Sequence, residues 1–127
     1  MGISLADAAA EYGADVTLVT GPVSISPANT SIKIIRVTDA GSMAEECISS
    51  FPECDIAVLS ASVADFTPVR VAKEKMKKGK ETLILRLKPT VDIAESLGKI
   101  KKPSQILVGF ALETDNEIEN ASAKLRR

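Results

Sequence analysis

Ile56 to Lys80 reads IAVLSASVADFTPVRVAKEKMKKGK. The apolar run Ile56 to Leu59 predicts a strand. It opens into the small-residue turn Ser60-Ala61-Ser62, then a single acid, Asp65, then a lysine cluster. Between Arg70 and Lys80 stand Arg70, Lys73, Lys75, Lys77, Lys78 and Lys80, opposed only by Glu74. In open α/β sheets, ligands sit just beyond the carboxyl ends of the strands. Small residues there let a ligand approach the backbone, and a cationic segment can close over phosphates. The arrangement points to a nucleotide or phosphoester site. An exposed basic β-arm without a ligand is the competing reading of the same spacing.

Working outward from this stretch, helical and strand patterns alternate. Upstream, Ile3 to Tyr12 predicts a helix closed by Gly13 as its C-cap. Val16 to Val19 predicts a short strand stopping at Gly21-Pro22, and Ile32 to Val37 a second strand. A helix follows around Met43 to Ser50. Downstream, Leu83, Leu85 and Leu87 alternate with Arg86 and Lys88, the pattern of a strand with one solvated face. Asp92 and Glu95 predict a capping box for a helix through Ile93, Leu97 and Ile100. Ile106 to Val108 predicts a buried strand, and Thr114 with Glu117 caps a last helix carrying Ile118, Ala121 and Leu125. The expected fold is α/β: a Rossmann-like three-layer domain with a mostly parallel sheet and a projecting β-arm.

Composition agrees with one domain over 1–127. The 127 residues leave room for one real core. Hydrophobic residues make up 45% and aromatic residues only 3%, with no Trp and no His, as in aliphatic strands packed on alanine-rich helices. Sixteen basic and seventeen acidic side chains give a net charge of −1, so the lysine cluster is local. Nucleic-acid binding is not expected, because the basic surface is narrow and stacking platforms are scarce. No apolar stretch approaches the length of a membrane span, and Met1-Gly2-Ile3-Ser4 lacks the basic start of a signal peptide. The sequence reads as a soluble, cytoplasmic protein without membrane partners. Cys47 and Cys54 form no disulfide framework and fit no CxxC motif. Without His a zinc site is not expected, and no metal ligands are assigned. Cys47 lies on an apolar helix face with Met43, Ala44, Ile48 and Phe51, as a small core residue.

Both ends read as cut from a larger domain. Such a domain normally opens with a strand and a glycine-rich turn, whereas the first element here is a helix. The expected first strand and a C-terminal part are missing from the pattern.

Four segments in order carry a family resemblance: GADVTLVTGPVS (Gly13 to Ser24), SASVADFTP (Ser60 to Pro68), EKMKK (Glu74 to Lys78) and VGFALETDN (Val108 to Asn116). Together they resemble the phosphopantothenate–cysteine ligases, or phosphopantothenoylcysteine synthetases, of coenzyme A biosynthesis. In many bacteria this is the C-terminal domain of a bifunctional protein whose N-terminal half is a flavin-dependent decarboxylase. FMN would belong to that half and not to this stretch. Met1-Gly2 would match the end of the family's Ser-Ser-Gly-Lys-Met-Gly stretch.

The resemblance implies that 4′-phosphopantothenate is activated by a nucleoside triphosphate and then joined to cysteine. CTP serves the bacterial type and ATP the eukaryotic type, with CTP expected here. Lysines and Mg²⁺ would stabilise the phosphate charge. The family's catalytic lysine falls on Lys75. Asp65 would help hold the nucleotide, Ser60, Ala61 and Ser62 would supply backbone contacts, Phe110 would meet the base, and Lys124 would reach the nucleotide from the last helix. The family's arm pairs with a second subunit, so a homodimer is expected.

Departures from the family pattern limit the inference. The substrate-loop Asn and Arg would precede Met1, and a Lys-Asn would follow Arg127. Leu87 to Ile93 differs from the family's Lys-Asn-Pro-Asp-Ile by an extra residue. This stretch alone is therefore expected to bind nucleotide weakly or to lack activity. Two other classes stay open. A dinucleotide-binding oxidoreductase shares the α/β pattern, although no G-x-G-x-x-G is present. A non-catalytic dimerisation module would use Pro68 to Pro89 for pairing.

Overall fold

A computed structural model describes residues 1–72, 74–76 and 82–110. Helix α1, Gly2–Glu11, is built on an alanine-rich run and ends as its sequence predicts. The Gly13 N–H donates to the Ala10 carbonyl and the Ala14 N–H to the Ala9 carbonyl, both at 3.0 Å. These reversed bonds satisfy carbonyls that the helix leaves free, and they need Gly13 at φ 89°. Strands β1, Thr17–Thr20, and β2, Lys33–Arg36, pair in parallel, with Thr17 opposite Lys33. Ile32 and Val37 flank β2 and are buried.

Helix α2, Ala40–Ser50, starts on a cap that the sequence reading missed. The Asp39 carboxylate accepts from the Ser42 N–H at 3.0 Å, and Ser42 Oγ accepts from the Asp39 N–H at 3.3 Å. This is a reciprocal capping box with Ser in place of Glu. A 3₁₀ turn, Phe51–Glu53, leads to strand β3, Ile56–Leu59. Strand β4, Phe66–Pro68, pairs antiparallel with β5, Leu87–Pro89. Helix α3, Ile93–Ile100, begins at Asp92, whose carboxylate accepts from the Glu95 N–H at 2.9 Å. Only half of the expected capping box forms, because the Glu95 carboxylate turns to Lys99 instead. Strand β6, Ile106–Gly109, closes the described fold and pairs in parallel with β3.

The expected mixed α/β class with parallel pairing is borne out. The sheet, however, comes in pieces: β1 with β2, β3 with β6, and the β4–β5 ladder. Helix α2 touches both β1 and α3, and α3 lies on β6, which links the first two pieces. Ala44, Phe51, Ile93 and Leu97 form the core there, with Phe51 and Leu97 only 2% and 1% exposed. Burial of Phe51, Ile93 and Leu97 stabilises the fold by about 1.5–3 kcal/mol each. Cys47 packs against this cluster as expected, and burial pushes its thiol pKa up, with Glu46 adding to the shift.

A buried amide ties the core together. Gln105 Nε2 donates to the Phe51 carbonyl at 2.9 Å and to the Cys54 carbonyl at 2.6 Å, and its Oε1 accepts from the Lys102 N–H at 2.8 Å. The 3₁₀ turn before β3 is thereby fastened to the entrance of β6.

Two expectations about strands need correction. Ile106 to Val108 was expected to be buried, yet Ile106 is 54% exposed, and Val108, Ile56 and Val58 are exposed with it. Only the alternate face, with Ala57, Leu59 and Leu107, packs against the core. Parallel strands are normally covered on both faces, but an apolar run says nothing of which face its own chain covers. The second correction concerns Leu83, Leu85 and Leu87. All three are exposed, and only Leu87 lies in a strand. Alternation buries one face only where a surface lies against it. The expected last helix, together with Lys73, Lys77, Lys78 and Lys80, lies outside the described residues.

Candidate functional site

Register sets the geometry of the candidate site. Leu59 stands opposite Gly109 in the parallel β3–β6 pair. The next residues, Ser60 and Phe110, therefore leave the two strands side by side at their carboxyl ends. Phe110 is 56% exposed there, so it is not a core residue among its described neighbours. Beyond β3, Ser60 to Asp65 run without regular structure into β4. Ala61, Ser62 and Asp65 are exposed, while Ser60 is half-buried.

Three contacts fix this turn. A Cβ placed on Gly2 would lie 2.6 Å from Ser60 Oγ, so the start of α1 comes against the start of the turn. Val63, in the middle, packs against the core. At the far end, Thr90 Oγ1 donates to the Ala64 carbonyl at 2.7 Å and the Thr90 N–H to the Asp65 carbonyl at 2.9 Å. The close approach of Gly2 and the clasp by Thr90 were not legible in the sequence.

The structure thus sets Ser60 beside Phe110, with Ala61, Ser62 and Asp65 following along the turn that leads from Ser60 to β4. Lys75 is exposed and follows β4 in the arm. Lys124 lies outside the described residues. Among the described residues no cluster of three His, Cys, Asp or Glu side chains could hold a metal ion by itself. No described helix is long and apolar enough to cross a membrane.

Two other groups border the β1–β2 edge. The Asp7 carboxylate accepts from the N–H groups of Asn29 at 2.9 Å and Ala28 at 3.2 Å, tying the long connection after β1 to α1. Arg36, at the end of β2, donates to Ser26 Oγ at 3.1 Å.

Fold and site define a mixed α/β domain whose open end lies where β3 and β6 finish. Residues 1–127 match the family described as the DNA/pantothenate metabolism flavoprotein C-terminal domain, and the chain belongs to that family. A relative from an unknown prokaryotic organism, named cysteine/cysteine sulfinic acid decarboxylase, is 56% identical over the whole chain. The coenzyme A biosynthesis bifunctional protein CoaBC of Bacillus subtilis (strain 168) is 46% identical over 98% of the chain. The chain spans 35% and 30% of these two proteins, respectively. Among solved structures, the C-terminal domain of a CoaBC protein is 35% identical and superposes with a TM-score of 0.81, over 98% of this chain and 57% of that one. The DNA/pantothenate metabolism flavoprotein of Streptococcus pneumoniae shares the fold, with a TM-score of 0.74 at 21% identity over 98% of this chain and 64% of that one.

Proposed function

We propose that this chain is the nucleotide-binding part of a phosphopantothenate–cysteine ligase of coenzyme A biosynthesis. The observation that carries the reading is the family match across residues 1–127, joined to similarity with CoaBC proteins along nearly the whole chain. The turn from Ser60 to Asp65 supports it, because small residues and one acid stand at the carboxyl end of a parallel strand.

The reaction has two steps. A carboxylate oxygen of 4′-phosphopantothenate attacks the α-phosphorus of the nucleotide, and the bond to pyrophosphate breaks. The cysteine nitrogen then attacks the acyl carbon. The acyl–phosphate bond breaks, the amine proton goes to solvent, and the nucleoside monophosphate leaves. Activation is required because an unactivated carboxylate would have to expel oxide.

The chain's own residues divide the work. Backbone groups of Ser60, Ala61 and Ser62 line the approach of the nucleotide, Asp65 holds it, and Phe110 meets the base. Lys75 offsets charge that builds on the phosphates, and Lys124 joins the nucleotide site. Mg²⁺ is mainly a phosphate partner and commonly needs only one or two carboxylates. One carboxylate such as that of Asp65 would meet that demand, and the ion would supply Lewis-acid polarisation of the phosphates. CTP is the proposed nucleotide, with ATP as its competitor.

A homodimer and a cytoplasmic location are part of the same proposal. Val69, Val71, Leu83, Ile84 and Leu85 are all exposed along the arm, which favours a second subunit there. The decarboxylase name of the 56% identical relative describes a protein with nearly two thirds of its length outside the match. Decarboxylation is therefore not assigned to these residues.

The test supplies the intact protein with 4′-phosphopantothenate, cysteine and Mg²⁺, with CTP or ATP in parallel. Formation of phosphopantothenoylcysteine with equimolar nucleoside monophosphate and pyrophosphate is expected, faster with CTP. Absence of product with both nucleotides would overturn the reading, and faster turnover with ATP would reverse the nucleotide assignment.

A further inference from the structure

The turn between β3 and β4 is made mostly of small residues, and such a backbone is ordered only where its own groups are held. Thr90 holds two of them. The Ala64 carbonyl, which accepts from Thr90 Oγ1, belongs to the peptide preceding Asp65. The Asp65 carbonyl, which accepts from the Thr90 N–H, belongs to the peptide following it. Both peptide planes flanking the Asp65 Cα are therefore fixed by one residue, and with them the direction of its Cα–Cβ bond.

We infer that Thr90 is a positioning residue for Asp65, setting the direction in which the carboxylate is presented to a bound nucleotide. The inference rests on the reading of Asp65 as a nucleotide contact. The ladder alone would not suffice. Phe66 and Pro89 face each other as a non-hydrogen-bonded pair, and the next hydrogen-bonded position of the ladder is Thr90 opposite Asp65, where the backbone reaches only the Asp65 carbonyl. The Thr90 hydroxyl then reaches one residue deeper into the turn than the backbone does. The anchor is also firm, since Thr90 lies two residues before Asp92, the cap of α3, and Ile93 and Leu97 of that helix are in the core. Preorganisation of this kind acts by reducing the ordering cost of binding.

The experiment uses Thr90→Val, Thr90→Ser and Asp65→Asn in the intact protein, with CTP and ATP affinities read by calorimetry. Thr90→Val keeps the shape and the backbone N–H but removes the hydroxyl. It is expected to weaken nucleotide binding roughly three- to ten-fold, the range of one neutral hydrogen bond. Thr90→Ser should stay within about two-fold of the parent and hold its Tm, while Thr90→Val should lower Tm by no more than the few degrees that one hydrogen bond contributes. In an Asp65→Asn background, Thr90→Val should add nothing, because the two act through one group. Unchanged affinity in Thr90→Val beside weakened Asp65→Asn overturns this inference while sparing the nucleotide reading. A lower Tm with unchanged affinity, or an equal loss in both backgrounds, makes Thr90 merely structural. Unchanged affinity in Asp65→Asn removes Asp65 from the site and this role of Thr90 with it.

Discussion

A Cβ added to Gly2 would stand 2.6 Å from Ser60 Oγ, so the first residue of α1 and the first residue of the turn after β3 share one space. Ser60 Cβ would remain 3.9 Å away, and the conflict is with the hydroxyl alone. Rotation about χ1 can relieve it. Gly2→Ala should therefore redirect the Ser60 hydroxyl and cost about 1 kcal/mol or less, the scale of a displaced rotamer. Gly2→Ala combined with Ser60→Gly should recover the part of the loss due to the clash. Thermal denaturation of both single variants and the double variant reads this directly, and simple additivity would refute the contact.

Lys75 is proposed to act on charge that develops during the reaction, so its effect belongs in kcat more than in KM. Lys75→Gln is expected to lower turnover by roughly 10²-fold or more. Lys73→Gln and Lys80→Gln are the controls and should be much milder. Equal slowing by all three, measured as pyrophosphate release, would mean that the basic stretch acts as a diffuse field.

Gln105 makes three hydrogen bonds from a buried position. Gln105→Leu keeps much of the volume but leaves the Phe51 and Cys54 carbonyls without their donor. The expected loss is about 2–4 kcal/mol, since unsatisfied buried groups cost about 1–3 kcal/mol each. Calorimetric melting should show it as a Tm lowered on the order of 10 °C. A change within the error of the scan would show that the clasp is replaceable by apolar packing.

The Asp39 carboxyl lies below its usual value of 3.8, chiefly because the Ser42 backbone N–H donates to it, then through the Ser42 side chain. Its folded pKa is thus depressed relative to the unfolded chain. The stabilisation is present above 3.8 and is lost as pH falls through the lower folded value. Asp39→Ala should destabilise the fold at neutral pH and flatten the acid limb of stability below about pH 4. Urea midpoints between pH 3 and 7 test this, and parallel curves for parent and variant would exclude Asp39 as the titrating cap.

Legibility in the sequence followed the range of each interaction. Gly13 and Asp92 were readable because a helix end is decided by residues within one turn of it. Asp39 acts at the same range, yet its partner is Ser42 and not the Glu or Gln that the usual box demands. The β4 strand escaped because Phe66–Pro68 is only three residues long and ends in proline. Leu83 and Leu85 alternate as in a half-buried strand, but burial depends on what lies opposite, and alternation cannot supply that. The turn Ser60 to Asp65 and the emergence of Phe110 at a strand end were readable from local pattern. Their side-by-side placement depends on the β3–β6 register, and the Thr90 clasp on a fold-back of the chain over 26 residues.

That register also orders events in time. Ile56 and Ile106 are about fifty residues apart in sequence, while Thr17 and Lys33 are separated by far fewer. Closing the larger loop loses more chain entropy, and non-local pairings are slow to form. The β1–β2 pair can therefore assemble while β3 and β6 are still apart. On a growing polypeptide, Ser60 can meet Gly2 early but gains Phe110 beside it only after residue 110 is made, so the shared end of β3 and β6 is completed late.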